Sequence, residues 1–205
     1  AAARERFLAI MLDQAQRMSR LIDDLLSLSR IETKRRLGPD ELTDLADVLR
    51  RSCQETATEA ADAEVLMEVE GLAAPVWVNG DRDELIQVFS NLVENACKYG
   101  ADGGRIVVGL RVQAGGRVCE AFVRDFGHGI APEHVPRLTE RFYRVEDGRR
   151  RRGTGLGLSI VRNVLSRHRT RLLIASQPGE GATFSVRFEI SKDRARSDSA
   201  MKAVA

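Results

Sequence analysis

Little in this sequence speaks for covalent or metal cross-links. Cysteine occurs 3 times, at positions 53, 97 and 119, far from any metal-site spacing, and the odd number argues against a disulfide framework. A reducing compartment is therefore expected. No apolar run approaches the roughly 18 residues of a membrane span, and no signal peptide is recognisable at the start. Charge of one sign is also lacking. The 32 Lys and Arg against 30 Asp and Glu leave a net +2, too little to imply nucleic acid or an anionic membrane as partner. Histidine is scarce, with only His128, His134 and His168. Gly and Pro are missing from residues 4–34, so nothing there interrupts a helix.

What is present suits one ordinary domain with an appendage. Hydrophobic residues make up 43% of the chain, enough for a packed core, and charged residues 30%. Residues 4–34 read as one long helix. Leu8, Ala15 and Ile22 form a heptad-spaced row, as do Met11, Met18 and Leu25, then Leu21 and Leu28. The stripe is narrow, like a bundle seam. Such a helix either packs on its own domain or seeks a partner chain, and the narrow stripe favours the partner. The opening Ala-Ala-Ala reads as a cloning remnant, so the natural chain is expected to start elsewhere. Gly38-Pro39 then marks a linker. After a short extended start, residues 43–61 look helical. "EVLMEV" and "PVWVNG" read as strands, and 81–99 as a strong helix. "GRIVVGLRV" and "RVCEAFVRD" read as a hairpin joined by "QAGG". An irregular stretch covers 126–153. A helix at about 155–168 and the strands "RLLIAS" and "ATFSVRFEI" follow, then a polar tail. Strands outnumber a βαβ alternation, so an α+β sandwich is expected rather than a doubly wound sheet.

The helix at 81–99 carries unusual chemistry. Asp81 and Glu84 match a capping box. Most of its circumference is apolar, through Leu85, Ile86, Val88, Phe89, Leu92, Val93, Ala96 and Cys97, so it should be largely buried. Asn91, Asn95 and Lys98 nevertheless share a sector of roughly 60°. Buried amides and an ammonium need partners. They either bond to neighbouring backbone or face a ligand. An amide oxygen suits Mg²⁺, and a lysine neutralises phosphate.

Two glycine-rich turns complete the pattern. "RGTGLGLSI", residues 152–160, opens onto an amphipathic helix. Gly153, Gly155 and Gly157 allow a close backbone approach, and the N–H groups and dipole of the helix start favour phosphate. A flexible turn without ligand is the alternative. No strand leads into it, which excludes the dinucleotide fingerprint, and the Walker spacing is absent. "RDFGHGI", residues 124–130, contains Asp-Phe-Gly, but the lysine strand and His-Arg-Asp loop of protein kinases are missing. The other reading is Asp-x-Gly-x-Gly. There a strand ends at Asp125, whose carboxylate accepts from the exocyclic amine of adenine.

In the order "NLVENACKY", "DFGHGI", "ERFYR", "GTGLGLSI" and "GEGATF", these segments resemble the N, G1, F, G2 and G3 boxes of sensor histidine kinases. That ATPase superfamily also holds gyrase, the heat-shock 90 chaperones and MutL. The match covers about 75–190, and residues 4–32 resemble the second helix of the family's dimerisation and phosphotransfer domain. The wording is closest to PhoR-type sensors. The resemblance implies a two-layer form of that sandwich with a mixed sheet, and four segments: 1–36 a bundle helix, 37–43 a linker, 44–190 a catalytic ATP-binding domain and 191–205 a disordered tail. It implies ATP and Mg²⁺ as cofactors, with Asn95 on the metal and Lys98 on phosphate. Asn91 would help hold both, Tyr99 would lie against adenine, and Asp125 would bind its amine. Gly127, Gly129 and Ile130 would shape that pocket. Phe142 and Arg144 belong to the F box, and the arginine reaches toward the γ-phosphate. Gly153, Thr154, Gly155, Leu156, Gly157 and Leu158 would cradle phosphates. Gly179, Gly181 and Thr183 would line the far side of the nucleotide. Residues 126–153 become an ATP lid in which Arg149–Arg152 are either solvated surface or a steering charge.

The resemblance also implies a homodimer through helix 4–34 and a response-regulator receiver domain as partner. It implies a cytoplasmic location under a parent anchored in the bacterial inner membrane. Two departures stand out. "RHRTRL" replaces a His-Gly-Gly near the end of the helix after the G2 box, which should alter a turn. The phosphoacceptor histidine box appears nowhere, so the first bundle helix is expected to precede residue 1 and this fragment is not expected to autophosphorylate. A gyrase- or MutL-type ATPase and a non-catalytic binding module are the competing readings. The amide at 91 and the bundle helix count against the first, and the intact nucleotide set against the second.

Overall fold

The computed structural model describes residues 39, 41–145 and 154–191, with ten further positions between 4 and 26. Those ten are helical and exposed, among them Phe7, Leu8, Met11, Met18, Ile22 and Leu26. Leu21, Leu25 and Leu28 of the expected stripe lie outside the described residues.

Asp44 shows how short-range chemistry starts the domain. Its carboxylate accepts the Ala46 N–H at 3.0 Å, capping helix α1 (Leu45–Glu55), and the Val76 N–H at 3.0 Å. The same residue ends strand β1 (Leu42–Asp44), which pairs antiparallel with β3 (Trp77–Asn79). This draws Leu42 and Thr43, the last residues of the expected linker, into hydrogen-bonded structure. The helical run expected at 43–61 breaks at Thr56, where ψ is 9° and the hydroxyl donates back to Ser52 O at 2.8 Å. The Thr56 N–H also reaches Ser52 O, at 3.1 Å, and such back-bonding to the i−4 carbonyl often bends a helix. A short α2 (Ala57–Asp62) follows.

The main sheet has the order β2 (Leu66–Glu70), β4 (Arg105–Val112), β5 (Val118–Asp125), β7 (Ala182–Glu189) and β6 (Leu172–Ser176). β2 and β4 are parallel and the other pairs antiparallel, a mixed sheet as expected. Period-2 alternation sends Ile106, Val108, Cys119, Ala121, Val123, Phe184 and Val186 to one buried face. Onto it pack α1, α3 (Arg82–Tyr99) and α4 (Gly157–Arg167) through fully buried Leu45, Leu49, Leu85, Phe89, Leu92, Ile160 and Leu165. Truncating a residue such as Phe89 to Ala should cost about 3–5 kcal/mol, from lost transfer energy and the cavity left behind. The second face of the sheet is open, with Arg105 and Arg124 both stacked on the Phe126 ring at 4.1 and 4.6 Å. No helix among the described residues is long and apolar enough to cross a membrane.

Candidate functional site

α3 carries the polar row and also reaches Asp125. Asn91, Asn95 and Lys98 are half-buried on an otherwise buried helix. Asn91 Nδ2 donates to Gln87 O at 2.9 Å, one helical turn back. Asn95 makes no hydrogen bond to another described residue. The Lys98 ammonium sits 2.6 Å from Glu94 Oε2, an i,i+4 pair that holds it on this face. Glu94 escaped the sequence reading, although its spacing was there to be seen.

At the C-terminal end of α3 the chain passes Asp125 closely. A Cβ on Gly100 would lie 2.3 Å from the Asp125 Cβ, and one on Gly127 would lie 2.7 Å from the Gly100 Cα. Glycine is required at both positions by this approach rather than by backbone angle. Asp125 ends β5 and is buried. Its Oδ1 accepts the N–H groups of Gly127 at 3.0 Å and Ala182 at 3.2 Å, while Oδ2 takes no hydrogen bond from a described residue. Burial pushes the carboxyl above its ordinary value of 3.8, opposed by the two N–H donors.

The G1 and G3 turns are stitched together by a residue that motif reading missed. Ser176, at the end of β6, accepts the Ile130 N–H at 2.9 Å and donates to Gly181 O at 2.7 Å. The Gly179 N–H adds a bond to His128 O at 2.7 Å. Ile130 is packed against the core. Gly129 lies against Gln177 O, where a Cβ would come within 1.9 Å. Tyr99 remains 36% exposed at the edge of this pocket.

The second group of candidate residues lies at the start of α4. Leu156 precedes the helix without a side-chain cap, so the first N–H groups of α4 keep their donor capacity. Gly157 fits against Asn91, where a Cβ would come within 2.7 Å of Oδ1. Leu158 packs on the core, and the Leu156 N–H reaches Thr154 Oγ1 at 3.2 Å. The Phe142 N–H donates to Gly155 O at 2.9 Å, which ties the F box to the G2 box. Phe142 takes φ +63 and is 61% exposed, a strained backbone position of the kind found at functional loops. Arg144 is exposed beside it. Gly153 and Arg149–Arg152 lie outside the described residues.

The structure thus sets Asn91, Asn95 and Lys98 on one face of α3, with Gly157 against Asn91, and Asp125 and Gly127 against Tyr99 and Gly100 at its C-terminal end; Gly129 packs on Gln177 and Gly155 on Phe142. From Asn91 to Gly100 the helix rises by roughly 14 Å. Thr183 is not among them. It lines a groove on the open face of the sheet with Phe122, Arg124 and Leu173. The reason is strand parity: Ala182 and Phe184 face the core, so Thr183 faces away. The turn expected to differ at "RHRTRL" keeps a left-handed helix end. Arg169 takes φ +54 and the Thr170 N–H reaches Leu165 O at 3.0 Å.

Comparison with known proteins agrees with this geometry. Residues 80–192 match the family described as histidine kinase-, DNA gyrase B- and HSP90-like ATPase. The phosphate regulon sensor protein PhoR of Pseudomonas aeruginosa is 44% identical over 186 residues, 89% of this chain and 41% of that protein. Sensor protein SrrB of Staphylococcus aureus is 31% identical, over 88% of this chain and 31% of its own length. The chain therefore spans well under half of these relatives. Among solved structures, the mycobacterial sensor histidine kinase MprB aligns at a TM-score of 0.60 and 30% identity, covering 74% of this chain and 97% of that one. The histidine kinase AdeS of Acinetobacter baumannii shares the fold at a TM-score of 0.69 and 24% identity, covering 88% and 82%. The chain belongs to the histidine kinase-, DNA gyrase B- and HSP90-like ATPase family, and within it is similar to the PhoR-type sensor histidine kinases.

Proposed function

We propose that this domain binds Mg-ATP along α3 and presents the γ-phosphoryl to a histidine on a dimerisation helix that these 205 residues do not contain. The observation that carries the reading is Asp125. Its Oδ1 is filled by two backbone donors and its Oδ2 is left for an external one. The exocyclic amine of adenine is that donor, whereas guanine offers an oxygen there and is rejected. Tyr99, Gly127, Gly129 and Ile130 enclose the base.

The phosphates run toward Asn91 and the start of α4. The N–H groups of Gly157 and Leu158, with the helix dipole, accept their charge. Gly153, Thr154, Gly155 and Leu156 complete that cradle, and Lys98 and Arg144 approach the outer phosphates. The described residues hold no cluster of three or more His, Cys, Asp or Glu that suits a metal. Half-buried Asn95 offers an amide oxygen, a hard donor of the kind Mg²⁺ takes alongside substrate phosphates. When bound, Mg²⁺ supplies charge neutralisation on the phosphate oxygens. Asn91 is an amide and abstracts no proton at neutral pH, so it orients rather than activates water. Transfer to an imidazole nitrogen fits such a site, where catalysis is positioning and charge balance. Phosphohistidine then serves an aspartate of a response-regulator receiver domain.

The exposed Phe7, Leu8, Met11, Met18, Ile22 and Leu26 support pairing of the N-terminal helix with a second copy. On this reading the domain lies in the cytoplasm beneath a membrane-anchored parent. Calorimetric titration with a non-hydrolysable ATP analogue tests the nucleotide site. Asn95→Ala should weaken binding about tenfold with Mg²⁺ present and little without it. Equal affinity of variant and wild type in Mg²⁺ would remove Asn95 from the metal.

A further inference from the structure

The capping box expected at Asp81 and Glu84 is only half built, and the other half has been diverted across the domain. Asp81 Oδ1 accepts the Glu84 N–H at 3.2 Å, as a cap should. The Glu84 carboxylate does not return to the Asp81 N–H. It extends to Arg167, at the last turn of α4, with Oε1 bonded to Nη1. Arg167 Nη1 also lies 3.8 Å from Asp81 Oδ2. The Asp81 N–H donates instead to His168 Nε2 at 3.1 Å. His168 Nδ1 lies 2.8 Å from Val164 O, so the imidazole is neutral with its proton on Nδ1. Its side chain is 0% exposed, that of Arg167 9% and that of Glu84 12%.

This cluster is poorly explained as a device for stability. Glu84 Oε2 and Arg167 Nε are buried without a hydrogen-bond partner. Burying a charge pair that is not fully bonded is costly, and apolar side chains of similar volume often serve as well. What the cluster does is define a register. α3 and α4 run antiparallel, with Asp81 and Glu84 against Arg167 and His168 at one end and Asn91 against Gly157 at the other. The near end is a close contact, in which a Cβ on Gly157 would press on the Asn91 amide oxygen. The far end is a bonded lock some ten residues away along α4, about 15 Å.

We propose that Glu84, Arg167, Asp81 and His168 form a positioning lock that sets α4 against α3, and thereby the spacing between the row Asn91, Asn95, Lys98 and the first N–H groups of α4. The proposal rests on the nucleotide reading given above, since the spacing matters because the phosphate chain spans it. None of the four residues touches the nucleotide. Misplacement of reacting groups by an ångström from a distant change is known to be costly, which sets the size of effect to look for.

The test compares two ligands on the 205-residue chain: AMP, which reads the adenine end, and a Mg²⁺-bound non-hydrolysable ATP analogue, which reads both ends. Arg167→Met should weaken the triphosphate analogue about tenfold and leave AMP nearly unchanged. The charge-exchanged double variant Glu84→Arg with Arg167→Glu restores the pair but sets a carboxylate beside Asp81, so it should recover part of the loss. Equal weakening of both ligands, or of neither, would overturn the lock. Where Arg167→Met fails to fold, Glu84→Gln, which keeps shape and one acceptor, carries the same comparison. If the unmodified chain binds neither ligand, the nucleotide reading fails, and amide hydrogen exchange in the ligand-free chain decides the lock alone. The lock predicts that Arg167→Met speeds exchange at Ile160 and Val161, near the start of α4, and not in β4. Changes confined to 164–170 would mean a local helix end and nothing more.

Discussion

The two ends of the cleft are built by opposite means. At the end proposed for adenine stands a buried carboxylate with two backbone donors already in place, and the surrounding turns are cross-linked by Ser176. At the phosphate end the groups are half-buried side chains on α3 and the uncapped start of α4. One end is complete before a ligand arrives. The other is a set of donors and oxygens whose spacing is maintained from a distance. Under the proposed function this difference matches what each would bind: a rigid, neutral, planar base, or a flexible polyanion whose charge needs several small contributions.

The largest effect that separates the two ends should come from Asp125→Asn. The amide oxygen can still accept from Gly127 and Ala182, but its NH₂ would then face the adenine amine, donor against donor. Binding of AMP and of Mg-ATP analogues should fall together, roughly 100-fold or more, with the fold intact. A loss confined to triphosphates would show that Asp125 belongs to the other end.

Acidity should sharpen the comparison. Asp125 titrates above its ordinary 3.8 because of burial. Its neutral form is a poorer acceptor for the adenine amine, so affinity should drop as pH falls through the raised value, while above it affinity is flat. AMP and the triphosphate analogue should drop alike in titrations across that range. The lock has its own dependence. Burial pushes His168 below its ordinary 6.5, beside Glu84, Arg167 and Asp81. The unfolded chain then binds more protons than the folded one below 6.5, so stability is full above that pH and is lost as pH falls through the lowered value. Thermal melts should show a midpoint that declines below about pH 6.5, and His168→Asn should flatten that decline.

The smallest effect concerns Arg169, a non-glycine residue held at φ +54. Arg169→Gly should stabilise the domain by about 1 kcal/mol, a rise of a few degrees in melting temperature, without altering nucleotide affinity. A lower melting temperature would mean that the arginine side chain contributes more than its backbone costs.

The site was most legible where function needs a residue type at a local spacing. Asn91, Asn95 and Lys98 stood out as polar positions on an apolar helix, and Asp125 as a strand end before glycines. The buried face of the sheet followed from alternation in β4, β5 and β7, whereas its mixed pairing was implied only by the family resemblance. What was illegible depends on pairings distant in sequence. The Glu84 side chain had two plausible destinations, and only the arrival of Arg167, 83 residues later, decided between them. Ser176 looked like any strand-end serine. Thr183 was assigned to the cleft by its motif, but its face is set by the parity of β7. The break at Thr56 is a local backbone bend, accompanied by hydroxyl back-bonding to Ser52 O, that no period in the sequence marks.

The most direct measurement follows backbone amide shifts by NMR as AMP and then a Mg-ATP analogue are added. AMP should move the amides of Gly127 and Ala182, and the triphosphate should in addition move those of Gly157, Leu158 and Ser159. Shifts concentrated instead on Phe122, Arg124 and Thr183, on the open face of the sheet, would contradict the account.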